Sequence, residues 1–129
     1  MKIKNQSGQF MDRIAGSVLS SKSLTAQVAD IADKAFTTSG PGLYIIAYYL
    51  LTTTAAVGAG GVTLNIKFTD NSSARTISSS AVILTALTGF TQGSIICRLS
   101  SGSITYGVTH TGIYSTSAYA IYLSVERLV

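Results

Sequence analysis

Residues 62–70 read VTLNIKFTD, and they decide the fold class. Val62, Leu64, Ile66 and Phe68 alternate with Thr63, Asn65, Lys67 and Thr69. A period of two places the four apolar side chains on one face of a strand and the polar ones on the other, whereas a helix would scatter them around its circumference. The DNSSA that closes the segment, residues 70–74, is turn chemistry and sends the chain back on itself.

The same grammar extends in both directions. Upstream, GPGLYIIAYYLLTTT (residues 40–54) enters a strand after Pro41, the only proline, whose flanking glycines mark a turn. Downstream, ARTISSSAVIL (74–84) reads as a weaker strand or a pair of them, and LTGFTQGSIICRLSSGS (87–103) as a strand closed by a Ser-Gly turn. ITYGVTHTGIY (104–114) and AYAIYLSVERLV (118–129) complete a set of seven or eight strands. Residues 22–36, KSLTAQVADIADKAF, fit either period, and the β-rich remainder favours a first strand there. Before it, QFMDRIAGSVL brings Phe10, Ile14 and Val18 round every four residues behind a potential Ser7 cap, the pattern of a short amphipathic helix weakened by Gly16. The expected organisation is an N-terminal arm over 1–21, part helical, and an all-β body over 22–129.

Composition narrows the function classes. The 129 residues suit one core, and 47% are hydrophobic while only 11% are charged, against about 25% charged in an ordinary soluble domain. Eighteen serines and sixteen threonines supply most of the polarity. The net charge of +4 comes from nine scattered Lys and Arg, with no basic run to follow a phosphate backbone or a lipid headgroup layer, so neither nucleic acid nor membrane is an expected partner. No apolar stretch reaches the length of a membrane-crossing helix, and MKIKNQSGQFMDR has no uninterrupted apolar core of secretory-signal length. The expectation is cytoplasmic synthesis.

Catalytic groupings are sparse. Cys97 is the only cysteine and sits in the apolar SIICRL, where a thiol behaves as a small buried hydrophobe. His110 is the only histidine, with no orienting acid and nucleophile legible around it and no companions for a metal. The acids are Asp12, Asp30, Asp33, Asp70 and Glu126, and a glycosidase would need two of them to converge across a cleft. GAGG at 58–61 lacks the Lys-Ser or Lys-Thr of a phosphate loop. Arg75, Arg98 and Arg127 are candidates for surface pairing with Asp70 or Glu126. No enzyme, cofactor or metal is expected.

One strand stands out. Leu43, Ile45, Ala47, Tyr49 and Leu51 occupy one face of it and Tyr44, Ile46, Tyr48 and Leu50 the other, so both faces are apolar. A sandwich buries only one face of each sheet, and the second would leave an exposed patch larger than soluble monomers usually carry. The reading places Tyr44, Ile46, Tyr48 and Leu50 on that second face, joined by Tyr122 from the last strand, as a contact between copies of the chain.

The order of these segments, from GPGLYIIAYYL through VTLNIKFTD, TGFTQGSIICRL and ITYGVTHTG to AYAIYLSVERL, resembles the compact jelly roll of the tumour-necrosis-factor and C1q type, as found in small virion proteins of tailed bacteriophages. The resemblance covers about residues 22–129 and implies a two-sheet jelly-roll sandwich of about eight strands. It further implies a homotrimer formed through Tyr44, Ile46, Tyr48, Leu50 and Tyr122. By the same resemblance the chain is a capsid decoration or cement protein located in the virion, bound to the major capsid protein or another virion protein. Phe10, Met11, Ile14, Val18 and Leu19 of the arm then supply the attachment. The alternative is a tail-fibre or carbohydrate-binding module in which Tyr114, His110 and loop serines contact a glycan.

Overall fold

The computed structural model describes residues 18–56, 60–112 and 116–129. Among these residues nine strands form two antiparallel sheets: β1 (Val18–Gln27), β2 (Ile31–Ala35), β3 (Gly42–Thr54), β4 (Gly60–Asp70), β5 (Ser73–Ser78), β6 (Val82–Ile83), β7 (Phe90–Leu99), β8 (Ser101–Gly112) and β9 (Ala118–Arg127). The first sheet has the order β1-β9-β3-β7 and the second β2-β8-β4-β5, with the short β6 also on β4. With β6 set aside, the first strand pairs the last, the second pairs the next to last, and so inward to β4 and β5. That is one long antiparallel hairpin rolled over on itself, the jelly-roll connection. The expected all-β sandwich is the observed fold, with the two-residue β6 as the addition.

Local chemistry sets the turns. Asp70 pairs with Ser73 across a two-residue loop in which Asn71 and Ser72 take φ of 52° and 61°. Two consecutive left-handed residues give the hairpin turn whose twist matches its strands, and Asn tolerates that region better than most. Residues 22–36, expected as one strand, are divided between β1 and β2, which lie in different sheets. Ala26 at φ 54° and the register shift between Leu24 and Gln27 mark the bend that interrupts the run. Val18 and Leu19 belong to β1, where Val18 is opposite Glu126. β1 therefore begins four positions ahead of residue 22, inside the span read as an arm. Phe10, Met11, Ile14 and the helix expected around them lie outside the described residues.

The core fills the space between the sheets. Val62, Leu64, Ile66 and Phe68 all point into it, as the alternation of VTLNIKFTD predicts, and meet Ile104, Tyr106 and Val108 of the same sheet. The opposing sheet contributes Ile95, Cys97 and Leu99 from β7 and Tyr119, Ile121, Leu123 and Val125 from β9. β3 contributes Tyr44, Ile46 and Leu50, each without exposed surface. This corrects the expected orientation of β3: Tyr44, Ile46 and Leu50 are enclosed by the chain's own second sheet and cannot line a contact with another copy while the sandwich is closed. Tyr48, the fourth member of that face, packs against the same core while staying partly exposed. The outward face is the other one, Leu43, Ile45, Ala47, Tyr49 and Leu51, all of them partly or largely accessible.

Register explains the choice. Tyr44, Ile46 and Leu50 have Cys97, Ile95, Val125 and Ile121 as cross-strand neighbours, whereas Leu43, Ala47 and Tyr49 have Arg98, Ser94, Ser124 and Gln92. Burying the odd face would take an arginine and three polar side chains into the core without partners, at a cost of several kcal/mol on the order of the usual desolvation penalties. Burying the even face takes in apolar groups together with hydroxyls that find partners: Thr52 Oγ1 donates to the Ile83 carbonyl at 2.6 Å, and the Tyr44 hydroxyl is held at the entry to β3. That hydroxyl donates to the Gly40 carbonyl at 2.5 Å and accepts from the Ser39 amide at 3.1 Å.

Candidate functional site

The two outer faces of the sandwich differ. On the β2-β8-β4-β5 sheet the outward groups bond to one another: the Ser78 hydroxyl donates to Asn65 Oδ1 at 2.7 Å, Asn65 Nδ2 donates to Thr109 Oγ1 at 3.0 Å, and Lys67 Nζ pairs with Asp33 at 2.8 Å. This is a polar face satisfied within itself, the solvated side of an antiparallel sheet.

The outer face of the β1-β9-β3-β7 sheet carries aromatic and apolar side chains instead. The register sets Tyr122 directly opposite Tyr49, with Ser23 beyond Tyr122 on β1 and Gln92 beyond Tyr49 on β7. The next row is Ser21, Ser124, Ala47 and Ser94, and the row on the other side holds Leu51 and Phe90. Because neighbouring strands run about 4.8 Å apart, the two tyrosine positions are adjacent on the face. Tyr49 and Tyr122 are 38% and 40% exposed, so each side chain is open to solvent over part of its surface. The Phe90 ring lies 5.9 Å from that of Tyr49 at a tilt of 33°, extending the aromatic surface toward the β7 edge.

Small side chains in this row and the next turn the surface into a depression. Ser21, Ser23, Ala47 and Ser124 leave a shallow, open hollow of about 310 Å³ beside the two rings, with Lys22, Tyr48 and Leu123 completing its lining. Its chemistry is that of rings beside hydroxyl groups. Such a surface offers apolar area to one side of a ligand and hydrogen bonds to its edges.

Other expected residues are placed elsewhere. His110 Nδ1 lies 2.6 Å from Asp30 Oδ1 at the end of β8, and the Tyr119 hydroxyl donates to the nearby Ala29 carbonyl at 2.7 Å. This loop end is far along β9 from Glu126 and is a separate location from the hollow. Tyr114, the other residue of the glycan alternative, lies outside the described residues. Asp30 and Asp33 are held by different partners, His110 and Lys67, so they do not face each other as a pair of catalytic carboxylates would. Among the described residues no three His, Cys, Asp or Glu side chains gather around a possible metal position. Arg98 pairs with Asp70, as anticipated, through Nε at 2.8 Å. Arg127 instead donates to the Ser39 and Pro41 carbonyls, tying the last strand to the turn before β3.

Of the residues singled out from sequence, only Tyr122 and, at its border, Tyr48 reach this surface. Tyr49, Phe90, Gln92 and the serines of β1 were missed. The available signal was the pairing of Tyr49 with Tyr122, which needs the register of β3 against β9 and not merely the alternation within each strand.

No protein-family model matches the chain, and neither does any curated protein. Among solved structures the chain is similar to the CBM22-1 and GH10 modules of the Clostridium thermocellum endo-1,4-beta-D-xylanase 10B complexed with xylohexaose, at 15% identity and a TM-score of 0.46 over 80% of this chain and 20% of that one. It is also similar to the carbohydrate-binding module CBM6cm-2 of the Cellvibrio mixtus lichenase 5A in complex with cellotriose, at 13% identity and a TM-score of 0.35 over 88% and 91% of the two chains. The chain thus spans about a fifth of the xylanase chain. The jelly-roll assignment itself rests on the pairing of β1 with β9, β2 with β8, β3 with β7 and β4 with β5.

Proposed function

We propose that the chain is a non-catalytic binding module that takes a neutral glycan on the outer face of its β1-β9-β3-β7 sheet. The observation that carries this reading is the Tyr49 and Tyr122 pair standing beside a hollow lined by Ser21, Ser23 and Ser124. A pyranose ring has an apolar face of C–H groups and a rim of hydroxyls. The partly exposed tyrosines suit the first, and the serine hydroxyls with the Gln92 amide suit the second. Lys22 is the one charged residue in the lining, which fits a neutral ligand better than a polyanion. An open sheet face also admits an extended chain from either side. The site differs from the loop-end arrangement of His110 and Tyr114 anticipated from sequence.

The test is binding to a panel of neutral oligosaccharides, compared among the wild type, Tyr49→Ala and Tyr122→Ala. Each substitution is expected to weaken binding by about tenfold or more, the scale of removing a central aromatic anchor. Equal binding by all three proteins would overturn the reading.

A second reading is favoured by Val18, Phe90 and Ile96, whose exposed apolar side chains lie on the same face outside the hollow. It makes the chain a structural virion component of a tailed bacteriophage that docks against the shell, with the N-terminal residues Phe10, Met11 and Ile14 in the attachment. Quantitative mass spectrometry of purified particles tests it. A copy number matching the capsid lattice supports decoration, and absence from the particle removes it.

A further inference from the structure

A two-sheet sandwich has open edges, and proteins usually blunt them with short strands, bulges or charges. Three edges here are blunted. β1 has two register shifts, β2 has five residues and a shift of its own, and β5 is a six-residue strand carrying Arg75. β7 is different. It runs ten residues in unbroken register with β3, and Arg98, its single charge, is drawn away to Asp70 at one end. Among the described residues no strand pairs with its outer edge.

The side chains along that edge are ordered about its middle. Phe90 and Ile96, 56% and 57% exposed on the outer face, lie three residues to either side of Gly93. Gln92 and Ser94 flank it. We propose that β7 pairs antiparallel with β7 of a second copy about a two-fold axis at Gly93, joining two four-stranded sheets into one continuous sheet. In that register Phe90 faces Ile96 of the second copy, Ile96 faces its Phe90, and Gln92 faces its Ser94. Apolar meets apolar twice, polar meets polar twice, and Arg98 falls outside the overlap. Centring the pair on Ile95 instead sets Ile96 against Ser94 and leaves Phe90 opposite Ser100, beyond the end of the strand.

This self-complementarity is the argument for a second copy as occupant, because an isologous contact requires one surface to match itself. A foreign strand imposes no symmetry about Gly93. The absence of a side chain at Gly93 has its own local cause. A Cβ there would sit 2.9 Å from the Tyr48 hydroxyl oxygen, so the Tyr48 ring occupies the space beside the proposed axis. Main-chain hydrogen bonds along the edge supply affinity, and the two Phe90 and Ile96 contacts fix the register.

The pairing goes beyond the glycan reading and leaves Tyr49 and Tyr122 untouched, so either can fail alone. Sedimentation equilibrium of the full chain up to about 100 μM, a range that covers weak protein contacts, is expected to give a dimer. Ile96→Lys is expected to raise the dissociation constant at least tenfold with an unchanged circular dichroism spectrum. A mixture of Phe90→Cys and Ile96→Cys proteins is expected to form disulfide-linked dimers under mild oxidation, and neither protein alone should do so. A monomer throughout the range, a trimer, insensitivity to Ile96→Lys, or cross-linking of a single variant with itself would each overturn the proposal.

Discussion

Single residues carry opposite assignments that composition does not distinguish. Tyr44 and Tyr49 are both tyrosines on β3, five positions apart and on opposite faces, one enclosed and the other open. The enclosed hydroxyl is held by the Ser39 amide and the Gly40 carbonyl, and Arg127 lies over the ring at 5.9 Å. Tyr44→Phe is therefore expected to destabilise the fold by about 1–2 kcal/mol, because it removes a bonded hydroxyl from a site that keeps its shape. Urea unfolding would show a lower midpoint with an unchanged slope. Cys97 was legible from its apolar neighbours, and burial pushes its thiol from 9.0 up to about 11. At pH 8 it is expected to resist maleimides in the native protein and to react on unfolding. The folded pKa exceeds the unfolded one, so this group's contribution to stability is complete below pH 9.0 and is lost as pH rises toward about 11. Denaturant midpoints of wild type and Cys97→Ala across that window would show the difference narrowing.

Elements show why part of the fold could be read directly and part could not. VTLNIKFTD declared its own orientation, since only one of its faces is apolar. β3 is apolar on both faces, and alternation within one strand is silent about which of them turns inward. The deciding facts are cross-strand: Ile95, Cys97, Ile121 and Val125 lie beside the even residues, and Gln92, Ser94, Arg98 and Ser124 beside the odd ones. Those neighbours come from strands some forty to eighty positions away in the chain. The division of residues 22–36 was hidden similarly, because the bend falls inside a run that reads as strand throughout and is set by Ala26 at φ 54° and the register shift beside it. Adjacent leucines on β3 test the orientation. Leu50→Ala is expected to cost about 2–5 kcal/mol as a core truncation, and Leu51→Ala, on the outer face, about 1 kcal/mol or less. Chemical denaturation of the two variants distinguishes the faces, and comparable costs would contradict the assignment.

The whole molecule is a jelly roll with one self-satisfied polar face and one aromatic, hydroxyl-bearing face. Low charge and abundant Ser and Thr already pointed to a neutral surface, and the need to cover a second apolar face was visible from β3. The location of that face, and its meeting with Tyr122 and the β1 serines, depended on closing the roll so that the first and last strands became neighbours. The central claim is that this face is the working surface. Residue-resolved NMR shift mapping during titration with neutral oligosaccharides tests it most directly. The account predicts changes concentrated on Ser21, Ser23, Ala47, Tyr49, Tyr122 and Ser124; changes centred instead on Asp30 and His110, or none at any oligosaccharide, would contradict it.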